Sequence, residues 1–238
     1  MKRRRRGMKK LTYVGKLLPI LFTAILSTAF FMSLVLLDTI LKGKMALYSR
    51  DAINHLVIIV VVLSVFIFLP GGYANWGLNL KNLKGSLILG IISGLAFGIL
   101  FSLFSYGQGI MGWNFTRLAS QLGERENLRH LLSQMFLVGT SEELFFRGLL
   151  VTFLMRQYTR KLAGIHLGVI VVSGMCGFLQ FYKLLFGAAL HEIFPPAFGG
   201  FIYALWLGWL YQKTGSLLGP IIAHNLGNSL MFAAGLGV

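Results

Sequence analysis

An internal disulfide is closed to this chain. Its 238 residues include a single cysteine, Cys176, so an internal disulfide and a Cys-based zinc cluster are both excluded. Acids are scarce too: Asp plus Glu total 7, of which only Asp38 and Asp51 are aspartates. Read as loop residues, those two exclude an aspartyl intramembrane site. No G-x-S-G string of the rhomboid type occurs, and His191-Glu192 is not completed to HExxH. Charge of either sign makes up 12% of the residues, against roughly a quarter in soluble domains.

Apolar residues fill the gap, at 56% of the chain. A water-soluble globule of this size has no interior large enough for them, which predicts an integral membrane protein. The remaining charge is lopsided, with 22 Lys and Arg and a formal net charge of +15. In a soluble protein that balance would point to nucleic acid. Here seven of the first ten residues are basic and lead straight into a hydrophobic run. Lys and Arg in that position orient a membrane protein and rest on anionic headgroups. Membrane lipids are the expected partner and nucleic acid is set aside.

Uncharged stretches predict an all-α polytopic membrane bundle of about seven spans, six to eight. The first, 17–37, is 21 residues long, more than a signal-peptide core, so an uncleaved anchor is expected. The second, 52–69, stops at Pro70-Gly71-Gly72. The third covers about 86–107, followed by an interfacial stretch through Trp113, and the fourth covers about 128–155. The others lie within 162–187, 196–212 and 217–238. The chain divides into a basic cytoplasmic tail (1–16), N-terminal transmembrane helices (17–127) and a core carrying the polar motifs (128–238). An inside N-terminus puts fourteen basic residues on cytoplasmic segments and seven on outer loops, a bias that rests on the tail. The tail and the lack of disulfides suit a bacterial cytoplasmic membrane. Gly90, Gly94 and Gly98 form a smooth helix stripe, and Gly164 and Gly168 repeat the spacing once; both predict close helix packing.

Charged groups inside a span cost about 2.5–3.5 kcal/mol each on insertion scales, so those retained are functional candidates. One span holds a cluster, Ser141-Glu142-Glu143-Leu144-Phe145-Phe146-Arg147. Glu143 and Arg147 share a helix face at i, i+4 and predict an ion pair. Glu142 is turned about 100° away and is expected to aim into the bundle interior, desolvated, as a general base toward water. A purely structural bridge of both carboxylates to Arg147 and another helix is the competing reading. On the last span His224 and Asn228 are also i, i+4, offering an imidazole and an amide that can hold an oxyanion or, with a carboxylate, a metal.

Three strings then resemble one family. Glu142 to Arg147 is similar to EExxxR, His224 to Asn228 to HxxxN, and Gly208 to Leu217 to the G-x-x-Y-x-x-T-G-S-L lead-in of the CPBP (Abi) family. That family comprises intramembrane CAAX prenyl proteases together with bacteriocin-processing and bacteriocin-immunity proteins. The resemblance implies an endopeptidase, commonly called a metalloprotease, in which Glu142 activates water. Glu143 and Arg147 support it, and His224 and Asn228 stabilise the oxyanion. Its substrate would be a peptide or membrane protein.

The family's middle F-x-x-x-H motif is altered. In the register that keeps the interval to the last motif, Cys176 stands for Phe and Gln180 for His. Gln180 can hydrogen-bond water but cannot take its proton. The nearest histidine, His191, is one position out of register and is expected in an outer loop. His55, His130 and His166 are read as lying at span ends. A divalent metal such as zinc on Glu142 and His224 would then find only Asn228 and Gln180 as further ligands, where catalytic zinc normally has three good ones. Three functions stay open: an active peptidase, a catalytically silent member that binds and regulates a membrane partner or confers bacteriocin immunity, and a small transporter gated by the charge cluster.

Overall fold

The computed structural model describes residues 2–107 and 112–238, and for residues 2–16, 34, 48, 185 and 186 the backbone alone. The side chains of the basic tail and positions 108–111 of the expected interfacial stretch lie outside the described residues.

Lipid offers a backbone no hydrogen-bond partners, so a chain this apolar closes its N–H and C=O groups within helices. The helices are α1 (Lys2–Leu41), α2 (Leu47–Phe68), α3 (Gly72–Asn75), α4 (Leu83–Tyr106) and α5 (Phe115–Gly123), followed by a continuous helical run made of α6 (Arg125–Ser133), α7 (Gly139–Glu143) and α8 (Thr152–Gln157). Two π-helical stretches, Gln134–Val138 and Leu144–Val151, join the parts of that run. Next come α9 (Leu167–Leu179), a 3-10 stretch Gln180–Phe186, α10 (Leu190–Thr214) and α11 (Leu218–Gly237). Among the described residues five helices are long and apolar enough to cross a membrane: Leu17–Leu41, Ser49–Phe68, Leu83–Tyr106, Leu167–Leu184 and Leu190–Thr214. The expected fourth and seventh spans are helical but fall outside those five, because they carry the polar motifs. The protein is an all-α polytopic membrane bundle. Large apolar side chains on its outside, such as Phe68 and Phe104, are exposed as a lipid-facing surface requires.

Small residues set the packing. A Cβ on Gly90, Gly94 or Gly98 would lie within 3 Å of Gly219 O, Leu226 Cβ or Leu230 Cβ, respectively, so the stripe lets α4 and α11 touch backbone to backbone. Gly177 and Gly208 do the same between α9 and α10, against Ala197 O and the Val169 side chain. The core between these layers holds Phe66, Trp76, Leu144, Leu150, Val169 and Leu217.

Several expectations change. The fifth span, Leu167–Leu184, lies within its expected bounds, but the stretch before it is a small antiparallel hairpin, β1 (Lys161–Leu162) and β2 (Ile165–His166). Its turn places Ala163 and Gly164 at positive φ, 50° and 81°, as a two-residue hairpin loop requires. Gly164 is therefore a turn residue, and only Gly168 of that pair packs a helix, against Leu154. The sixth span begins at Leu190, ahead of Pro195 and Pro196, and its N-terminus is held by Glu192, whose carboxylate accepts from Ala189 N–H at 2.8 Å. Glu192 is thus a first-turn residue and no loop acid. Asp38 and Asp51 are not loop residues either: they sit on α1 and α2. Asp38 pairs with Arg50 at 3.2 Å.

Candidate active site

The expected ion pair forms the centre of the site. Arg147 Nη1 donates to Glu143 Oε1 at 2.9 Å, and both side chains are buried. Arg147 also donates through Nη2 to the Ala204 carbonyl on α10 at 2.9 Å. From α11, His224 places Nδ1 at 2.8 Å from the same Glu143 Oε1. Glu143 thus ties three helices, which half matches the structural-bridge reading. The other half does not hold, because Glu142 takes no part in the bridge. Its Oε2 lies 3.8 Å from His224 Nε2, and its side chain is 39% exposed, on a cavity. Glu143 keeps the expected partner, whereas the desolvation expected of Glu142 is not found. Glu143 is the fully desolvated one, and Glu142 faces open space.

That cavity, about 400 Å³, is lined by Glu142, His224, Asn228, Gln180, Cys176 and Arg147 among others. The six side chains singled out from the sequence are brought together: five line the cavity, and Glu143 lies directly behind His224. His191 does not join them; it is exposed on the first turn of α10. A second, larger cleft of about 690 Å³ between α4, α10 and α11 is lined chiefly by apolar groups such as Leu100, Phe104, Phe198 and Met231. The two spaces share Gly200, Tyr203 and Asn228 on their walls.

Sequence reasoning missed several participants. His55 was expected at a span end, away from the site, but it lines the cavity together with Asp51. His130 and His166 stay outside it; His166 instead caps α9 by accepting from Gly168 N–H at 3.0 Å. Tyr203 stands edge-on to His224, ring centroids 5.3 Å apart, and donates to the Ala223 carbonyl at 3.2 Å. Asn225 donates to Thr140 Oγ1 at 3.2 Å, tying α11 to α7. Gly139 makes that approach possible, since a Cβ there would lie 2.8 Å from His224 Cβ and 2.9 Å from Asn225 N. The Gly208 to Leu217 string is architectural. Tyr211 bonds Thr152 at 2.7 Å, Gly215 ends α10 at φ +69°, and Leu217 N–H donates to Gly77 O at 2.9 Å.

The donor set fits a zinc ion poorly. Among the described residues no three His, Cys, Asp or Glu side chains are grouped so as to hold a metal. The expected pair, Glu142 and His224, lies 3.8 Å apart, but Nδ1 of His224 is taken by Glu143 and the further ligands expected are the amides Asn228 and Gln180. Zinc sites normally need three protein ligands.

A carboxylate and an imidazole on a cavity between helices of a polytopic bundle mark a candidate functional site. Residues 125–230 match the family model described as type II CAAX prenyl endopeptidase Rce1-like. The matched stretch contains the whole of α6 to α10 with most of α11, in agreement with the family its motifs resemble. No curated protein matches the chain. No solved structure matches it either.

Proposed function

We propose that the protein is an intramembrane endopeptidase of the CAAX protease type, working through Glu142, His224 and Asn228. One observation carries the reading: Glu142 and His224 Nε2 face each other at 3.8 Å across a cavity, while the far side of the imidazole is held at 2.8 Å by a buried carboxylate. A water between them is within reach of both groups. Glu142 takes a proton from that water as its oxygen attacks the scissile carbonyl carbon, and the carbonyl becomes an oxyanion. With Nδ1 of His224 held by the Glu143 carboxylate, an N–H on Nε2 faces the cavity and can donate to the oxyanion. Asn228 supplies the second donor. As the tetrahedral intermediate collapses, the proton held by Glu142 passes to the departing amine. Glu143 and Arg147 hold His224 in place, and no step requires a metal.

The substrate is a peptide or membrane protein bearing an apolar group. Its apolar part lies in the 690 Å³ cleft and its peptide bond in the polar cavity, with Tyr203 and Asn228 at the junction. The prenyl group in the family description suits such a cleft. The site sits in a cytoplasmic membrane, N-terminus inside, with the basic tail on anionic lipid.

Gln180 supports a second reading, a silent member that binds such a segment without cutting it, because the cavity position expected to hold a histidine is an amide. The purified protein in bicelles, given prenylated and double-glycine-leader peptides, separates the two. Cleavage by the wild type that Glu142→Ala removes supports the peptidase. Cleavage only after Gln180→His supports the silent binder, and no cleavage by either chain removes the proposal.

A further inference from the structure

Three polar side chains lead from α2 into the carboxylate helix. Asp51 Oδ1 lies 3.4 Å from His55 Nε2, and His55 Nδ1 lies 2.6 Å from Ser141 Oγ. The Ser141 hydroxyl donates to the Val138 carbonyl at 2.8 Å, so its oxygen accepts from His55 Nδ1–H, and Nε2 faces the Asp51 carboxylate as an ion pair when the ring carries both protons. Carboxylate, imidazole and hydroxyl in that order are the parts of an activated serine. Ser141 is no nucleophile, however: its side chain has no exposed surface, its proton is committed to the helix, and it is not among the groups lining the cavity.

The position of the contact suggests another role. Ser141 is the middle residue of the five in α7, and π-helical turns lie on both sides of it. A π turn replaces the i to i+4 ladder with i to i+5 bonds and shifts the direction of the side chains around it; such turns are frequent at functional sites. Between two of them, the heading of α7 is set less by its own ladder than by what grips it from the side. Thr140 is held from α11 by Asn225, and Glu143 from α11 by His224 and through Arg147 from α10. Ser141 is held from α2 by His55. Glu142 itself makes no side-chain hydrogen bond among the described residues, so its direction follows from the grip on its neighbours.

We infer that His55 is a positioning residue of the site: seated on Asp51, it clamps Ser141 and thereby aims the adjacent Glu142 into the cavity. This rests on the proposed role of Glu142. It also makes α2, which lies outside residues 125–230, a working part of the centre.

The test compares wild type, His55→Ala and His55→Asn, because the asparagine Nδ2–H occupies nearly the position of the imidazole Nδ1–H. The first measurement is amide hydrogen exchange over 139–143 in detergent micelles, which is independent of any substrate. His55→Ala is expected to lose protection there while 218–237 stays protected, and His55→Asn is expected to keep it. Unchanged protection in His55→Ala, or equal loss in both variants, overturns the clamp. The second measurement is peptide cleavage. A misaimed base predicts a fall in kcat of about 10–100-fold in His55→Ala with KM within about twofold, largely restored in His55→Asn. An unchanged kcat overturns the assignment. Absence of cleavage by the wild type overturns the peptidase reading alone, and the exchange result then decides whether the clamp exists.

Discussion

Glu143 and His224 are joined at 2.8 Å although 81 positions separate them in the chain. Their bond turns two motifs on different helices into one unit. The Glu143 carboxylate faces the Arg147 guanidinium on its own helix and the imidazole on α11, and its Oε2 is left buried without a partner.

Removing one member of that unit strands the rest. Glu143→Gln leaves a buried Arg147 cation without its counter-ion, a change expected to cost about 3–5 kcal/mol. Thermal unfolding in detergent checks it. Glu143→Gln combined with Arg147→Met is expected to recover most of the stability and none of the cleavage. A double variant no more stable than the single one contradicts the pairing.

Glu142 predicts the opposite behaviour. Its side chain is 39% exposed to the cavity, so Glu142→Gln is expected to abolish cleavage while stability moves by no more than about 0.5 kcal/mol. A melt and an activity assay on one preparation decide this. Residual cleavage near the wild-type rate removes Glu142 as the base.

For Asn228 the expectation is kinetic. Losing one oxyanion donor costs about 10²–10³ in kcat in other hydrolases. Asn228→Ala is expected to fall in that range with a small change in KM. A loss confined to KM would instead place Asn228 in the wall that holds the substrate, consistent with its place on both cavities.

Gly139 is expected to behave as a site residue without any functional group. Its substitution by alanine drives a methyl to 2.5 Å from Asn225 Oδ1 and 2.8 Å from His224 Cβ. Overpacking of this kind costs about 1–3 kcal/mol. The displaced α11 should also loosen the bond between His224 and Glu143, so cleavage is expected to fall further than the loss of stability explains. Full activity in Gly139→Ala shows that the helices relax without moving the imidazole.

The spans and the i, i+4 pair of Glu143 with Arg147 were legible because both depend on local order: runs of apolar residues, and a helical spacing that survives the π turn beginning at Leu144. The convergence of Glu142, Gln180, His224 and Asn228 was legible only through the motif resemblance. His55 and Asp51 carry no motif and no periodic signal, and their place near the end of an apolar run made them look peripheral. They reach the cavity because α2 packs across α7, a relation between elements 86 residues apart.

Composition and hydropathy alone determined that this chain is a membrane bundle, since lipid admits only helices and closed barrels and uncharged runs of about 20 residues are the mark of helices. Residue spacing alone determined which acid pairs with Arg147. Only the tertiary structure decided which of the two adjacent carboxylates is buried and which faces the cavity. Burial depends on what α10, α11 and α2 place against each side of the helix, and helix spacing carries no record of those neighbours. The difference in exposure between Glu142 and Glu143 is therefore a property of packing: His224 and Arg147 close over one carboxylate and leave the other facing the cavity.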